Sequence, residues 1–181
     1  MPKDATLRSR RRPAAGPTDP AACAATPSAF CVREERVYDR SARFLGGKRL
    51  LGGRVANRSD VHAAAVGGMP YGSLMHLVGQ LKGIDEEDIA GVLGISTRTL
   101  RRQAAAPGRP MPADVASKAW LLAETVARAT EVFGGLAEAE RWLAEPVLGL
   151  DGQRPIDLLR TLQGAELVGD FLGRLEYGVY A

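Results

Sequence analysis

The chain has 181 residues, of which 45% are apolar and 6% aromatic, and it carries a net charge of +3. That length suits one ordinary domain or two small ones, and no apolar run approaches the ~20 residues that cross a bilayer. Cys23 and Cys31 are the only cysteines, and they form neither a metal-ligand spacing nor a disulfide scaffold.

Charge is distributed unevenly. Residues 1–60 hold 13 Lys/Arg against 6 Asp/Glu, residues 61–110 hold 5 against 4, and residues 111–181 hold 6 against 11. The basic end suits a polyanion, through phosphate attraction and counterion release. The acidic end would be repelled by DNA, so the two ends are expected to meet different partners.

In chain order, residues 1–43 form a basic, Ala/Pro-rich leader that is expected to be disordered. Its RSRRRPAAGP run has the arginines of an export signal but no apolar stretch after them. A cytoplasmic chain without membrane contact is therefore expected. Glycine pairs at 46–47 and 52–53 then break any long helix, and Gly46-Gly47-Lys48 lacks the GxxxxGK[ST] spacing of a phosphate loop.

From Ser59 the helical grammar is clear. Ser59 or Asp60 can cap a short helix through Val66, ended by Gly67-Gly68. Pro70 opens a second helix with Leu74, Leu77, Val78 and Leu81 on its apolar side. His62 and His76 have no carboxylate or cysteine at ligand spacing and are read as structural.

The segment IAGVLGISTRTLRR, Ile89 to Arg102, then reads as helix, tight turn, helix. Asp85 can cap the first helix, with Asp88 complementing its positive end. Ile84, Ile89, Val92 and Leu93 make the packed stripe. Gly94 suits the reversal and Ser96 the second cap. With Leu100 turned inward, the ~100° spacing points Arg98 and Arg102 directly outward. Thr99 and Arg101 flank them, while Thr97, Gln103 and Ala104 sit nearer the packed side. That is the layout of a helix-turn-helix with one helix in the DNA major groove. Ser96, Thr97, Arg98, Thr99, Arg101 and Arg102 are its candidate DNA contacts, and which arginine reads a base is left open.

Pro107, Gly108, Pro110 and Pro112 are expected to form a stiff linker. A long helix follows from Pro112 to Phe133, with Val115, Ala119, Leu122, Val126, Ala129 and Phe133 as one inward stripe. Since a single helix-turn-helix usually works as a dimer, a homodimer is expected; this stripe is one candidate surface, although such a stripe is more often intramolecular core. A helix Leu136–Ala144 comes next, then a short one from Pro155 with Ile156, Leu159 and Leu162. The last runs from about Ala165 to Tyr177, burying Leu167, Val168, Phe171, Leu172 and Leu175. The expected fold class is all-α, with a helix-turn-helix domain at 44–110 and a small helical domain at 111–181. No Ser/His/Asp set, nucleotide loop or metal cluster points to an enzyme or a cofactor.

The second half resembles a known family. Val132-Phe133-Gly134, Ala139, Trp142-Leu143, Pro146, Leu150, Gly152, Pro155-Ile156-Asp157-Leu158-Leu159, Gly164 and Gly173-Arg174-Leu175-Glu176-Tyr177-Gly178 are similar, in order, to the toxin-binding domain of Xre/MbcA/ParS-type antitoxins. Asp60-Val61-His62, Gly68-Met69-Pro70 and GISTRTLRR resemble that family's atypical helix-turn-helix domain, so the resemblance spans about residues 44–181. It implies a type II toxin–antitoxin role. The partner would be a RES-domain toxin that depletes NAD⁺, bound near its active-site entrance, and the complex would repress its own operon on operator DNA. The leader before residue 44 is longer than the family requires.

The residues themselves place a protein contact at the C-terminal end, where tyrosines beyond the last apolar stripe anchor interfaces. Arg174, Glu176, Tyr177 and Tyr180 are the candidate toxin contacts. Arg174 can instead pair internally with Asp170. A conventional helix-turn-helix regulator with a C-terminal dimerisation or sensing domain is the alternative reading.

Overall fold

The structure, a computed structural model, describes residues 29–178. Among these residues the regular elements are helical, joined by two isolated bridge pairs and no strand. The fold is all-α. In order they are α1 (Ala29–Phe44), α2 (Gly47–Leu51), α3 (Arg58–Val66), α4 (Tyr71–Gln80), α5 (Glu86–Leu93) and α6 (Thr97–Ala104). After them come α7 (Ala113–Phe133), α8 (Leu136–Ala144), a 3-10 turn (Leu148–Leu150), α9 (Pro155–Leu158) and α10 (Leu162–Glu176).

The long helix α7 is the axis of the molecule. It packs against α1, α3, α5, α8 and α10, and the expected single stripe is replaced by burial nearly all round. Ala116, Ala119, Ala123, Ala127 and Ala129 are fully buried alongside Leu122 and Val126. Small side chains let neighbouring helices approach from several directions, and a helix apolar on every side belongs in a core. The candidate dimer surface on α7 is therefore corrected: its stripe is occupied within the chain.

The expected disordered leader is also corrected, because helix begins at Ala29 rather than after residue 43. Val37, Tyr38, Ala42 and Phe44 are buried, and the Tyr38 ring stacks on Trp120 at 6.2 Å. The apolar face of α1 is narrow and set among Glu34, Glu35, Arg36, Asp39 and Arg40. It acquires meaning only against α7. Residues 1–28, including Cys23, and residues 179–181, including Tyr180, lie outside the described residues.

Local signals differ in smaller ways. The cap of α3 is Asn57, whose side chain accepts from Asp60 N at 3.0 Å, rather than Ser59 or Asp60. Asp60 instead reaches back to Ala56 N at 2.9 Å, a reciprocal cap in the manner of a capping box. The expected linker at 107–112 is strapped to α4: Tyr71 N donates to Arg109 O at 2.9 Å, Gly72 N to Pro107 O at 2.7 Å and Met111 N to Met69 O at 2.8 Å. The strap satisfies N–H groups that the first turn of α4 would leave orphaned. Helix α10 starts at Leu162, capped by Thr161, whose hydroxyl accepts from Gly164 N at 3.1 Å. Leu167, expected to be buried, is 56% exposed, and Leu162, expected in the helix from Pro155, instead opens α10 and is 68% exposed.

One hydrophobic core runs from Tyr38 through Leu93 and Leu122 to Leu172, so residues 44–110 and 111–181 share it. Two polar joints reinforce the contact. Glu140 of α8 is buried, and its carboxylate accepts from Lys82 N at 2.7 Å and Gly83 N at 3.0 Å in the α4–α5 loop. Arg154, at the start of α9, grips Asp88 of α5 with two hydrogen bonds of 3.1 and 2.9 Å. Its Nε donates to Asp157 at 2.7 Å, and Arg160 pairs with both carboxylates.

Candidate functional site

Two exposed faces carry the candidate residues. The first is the α5–α6 pair. Gly94 takes φ 69°, the left-handed conformation that glycine adopts without strain, and its N–H bonds the Ala90 and Gly91 carbonyls. Three residues later α6 starts under Ser96, whose hydroxyl accepts from Thr99 N at 3.1 Å and shares a hydrogen bond of 2.9 Å with the Thr99 hydroxyl. Asp85 occupies the N-cap position of α5 without a side-chain cap bond, and three carboxylates, Glu86, Glu87 and Asp88, follow in its first turn. They complement the positive helix end.

On α6 the inward residues are Leu100 and Gln103, both buried. Arg98, Arg101 and Arg102 are exposed, and Ala104, expected near the packed side, is exposed as well. The three arginines are not equivalent. Arg101 Nε donates to Glu86 at 2.8 Å, while Arg98 and Arg102 have no ion-pair partner among the described residues. Ser96 and Thr99 face each other in the cap, which leaves Thr97 as the half-exposed hydroxyl beside Arg98.

The second face lies around α10. Three rings build it: Phe133 meets Trp142 at 5.1 Å, and Trp142 stacks nearly parallel to Phe171 at 6.2 Å. The Arg174 guanidinium sits 5.6 Å from the centre of the Phe171 ring. The contact seen for Arg174 is thus a cation–π one rather than the alternative pairing with Asp170. Tyr177 is 59% exposed and Glu176 half-buried. Arg174 and Tyr177 line a groove of about 810 Å³ together with Gly149, Asp151, Leu167 and Asp170. Beside it, Leu148 on the 3-10 turn is 96% exposed. Asp151 holds φ 55°, the one non-glycine residue with positive φ among the described residues, a strained conformation of the kind that gathers at functional surfaces.

The two faces are joined through the Asp88–Arg154–Asp157–Arg160 cluster. Hydrogen bonding from Arg154, with the charges of Arg154 and Arg160, holds the Asp157 carboxyl below its ordinary range despite partial burial. The same bonds, to Asp157 first and then Asp88, push the Arg154 guanidinium further up. Elsewhere burial raises the Tyr38 phenol, which is opposed by its hydrogen bond with Arg58. Among the described residues no group of His, Cys, Asp and Glu could hold a metal ion, and no helix is long and apolar enough to cross a membrane.

The family model for the antitoxin Xre/MbcA/ParS C-terminal toxin-binding domain matches residues 128–178, the end of α7 through α10. The chain belongs to the Xre/MbcA/ParS-type antitoxins. An antitoxin Xre of Yersinia enterocolitica is 33% identical over 99 residues, 54% of this chain and 66% of that protein. An antitoxin Xre of Pseudomonas putida is 26% identical over 126 residues, 68% of this chain and 76% of that protein. A protein of a Sphingobium species, named a Prs ADP-ribosylating antitoxin, is 25% identical over 107 residues, 54% of this chain and 67% of that protein. The chain thus spans about two thirds of the length of the Yersinia relative.

Several residues of this antitoxin's second face gave no local signal. Leu148 follows Pro146 in an irregular stretch, and Leu167 falls at an apolar position of a helical pattern. A leucine on an amphipathic helix reads as core unless its neighbours are known. Gly149 marked itself only weakly. A Cβ there would collide with the Phe171 ring, so the glycine lets the 3-10 turn lie flat on α10.

Proposed function

We propose that this antitoxin neutralises a RES-type, NAD⁺-depleting toxin by occluding its active site, and represses its own operon through α5 and α6. The reading is carried by one observation: residues matched by the toxin-binding domain are fused, through a shared core, to a helix pair presenting Arg98 and Arg102. Residues 44–110 act as the DNA-facing section and residues 111–181 as the toxin-facing one. Arg174, Glu176, Tyr177 and Tyr180 contribute to the toxin contact, and Ser96, Thr97, Arg98, Thr99, Arg101 and Arg102 to the operator contact, in a cytoplasmic homodimer within a larger complex. The Sphingobium relative's name supports an NAD⁺-consuming partner, because ADP-ribosylation uses NAD⁺.

The test is to express the adjacent reading frame with and without this chain while measuring growth and cellular NAD⁺. Toxicity with falling NAD⁺, relieved by co-expression, is the expected result. Toxicity without NAD⁺ loss overturns the RES assignment. For the operator, Arg98→Ala and Arg102→Ala are each expected to cost ~1–3 kcal/mol of affinity at fixed salt. Unchanged binding in both removes α6 from the DNA contact. Arg101→Ala is expected to cost less, since Glu86 already holds that guanidinium.

A further inference from the structure

The groove between the 3-10 turn and α10 has the features of a receptor for an apolar protrusion. Its floor is bare where α10 carries Gly169 and Gly173: a Cβ at either position meets nothing within 4 Å. Leu167 lines it and is 56% exposed, and Leu148, the chain neighbour of the lining residue Gly149, is 96% exposed. Leucines left this far in water are apolar surface that a partner docking on the groove would remove from solvent. The volume, about 810 Å³, is large enough for a bulky side chain with its flanking backbone.

The charges on the groove decide what kind of partner fits. Arg128 is tied to Glu124 at 2.9 Å, and Arg174 lies over the Phe171 ring. Asp151 and Asp170 have no ion-pair partner among the described residues, and against the one guanidinium of Arg174, which a ring contact does not neutralise, they leave the rim net negative. The groove also lies within residues 128–178, the stretch matched by the toxin-binding domain. It is therefore continuous with the face that carries Arg174 and Tyr177.

We propose that this groove is a second toxin-docking element, receiving an apolar protrusion of the toxin flanked by Lys or Arg, with Leu148 and Leu167 as anchors and Asp151 and Asp170 as charge partners. The proposal rests on the toxin-binding reading above and extends it from the C-terminal end of α10 to the 3-10 turn. A partner's protrusion seated in such a groove and ringed by polar contacts carries much of the affinity of an interface.

The experiment measures binding of the full-length chain to the purified product of the adjacent reading frame, inactivated so that it can be produced alone. Leu148→Asp and Leu167→Asp are each expected to weaken binding about tenfold or more. Asp170→Lys is expected to weaken it several-fold and to flatten its salt dependence. Leu162→Asp, at a leucine more exposed than Leu167 on the same helix but outside the groove, serves as the control and is expected to bind as the parent does. Thermal melts establish that each variant is folded. Parent binding with Leu148→Asp and Leu167→Asp unaffected overturns the groove and leaves the toxin reading standing. Loss of self-association in these variants, with toxin binding intact, assigns the groove to a second copy and overturns the proposal. A parent chain that does not bind the toxin at all overturns the functional reading and this inference together.

Discussion

The α5–α6 face and the α10 face are built by opposite routes. The turn and caps of the first are set locally: the Gly94 reversal, the Ser96 cap and the inward Leu100 are each near neighbours in sequence. The second is assembled from the end of α7, α8, an irregular turn and α10, and its aromatic column joins residues 133, 142 and 171. A face encoded locally can change its outward side chains without touching the core. A face assembled from distant segments depends on packing elsewhere. The expected consequence is that the α5–α6 face responds to single surface substitutions, whereas the α10 face also responds to changes buried far from it.

The largest effect should come from the joint between the faces. Glu140→Ala removes the buried acceptor of two backbone donors, Lys82 N and Gly83 N, and leaves both without that partner in a part-buried loop. A loss of about 2–3 kcal/mol is expected in urea unfolding. A loss under about 1 kcal/mol would mean that water replaces the carboxylate and that the faces are held by apolar packing alone.

Next in size is Arg154→Ala, which strips Asp88 of its bidentate partner; Asp88 is only 13% exposed. Because the arginine itself is partly solvated, about 1–2 kcal/mol is expected. Arg154→Lys should recover only part of it, since an ammonium cannot form the paired bonds. Full recovery by lysine would reduce the contact to simple charge attraction. Ser96→Ala, by contrast, tests the local route: about 1 kcal/mol from the lost cap, with toxin binding unaltered. If toxin binding fell with it, the two faces would not be separable in the way described.

The smallest effect is the response to acid. The folded Asp157 carboxyl lies below its ordinary value because Arg154 donates to it. Its contribution is therefore fully present above the unfolded carboxylate value, about 4, and is lost as pH falls through the folded value. Melting temperature should drop more steeply with acid in the parent than in Asp157→Asn. Parallel slopes would remove Asp157 from the acid response.

The bounds of α8, the turn at Gly94, the cap at Ser96 and the inward position of Leu100 were legible because each depends on propensity and periodicity within a few residues. The outward side of α6 was legible for the same reason. Burial was not. Periodicity gave α7 one inward stripe, and its alanines let five neighbouring helices close around it. It gave α1 nothing, because a narrow apolar face among charged residues is silent until α7 covers it. Leu167 reads as core by the same rule and faces solvent instead.

By itself, then, the sequence determined the bounds of α8, the reversal at Gly94, the cap at Ser96 and the charge that separates a basic start from an acidic end, since these are short-range properties. Only the tertiary structure decided which leucines remain in water, that Arg154 meets Asp88 across 66 residues, and that Arg101 is held by Glu86 while Arg98 and Arg102 are not. Burial and ion pairing are set by what packs against a residue. That partner lies too far along the chain for any local pattern to name it.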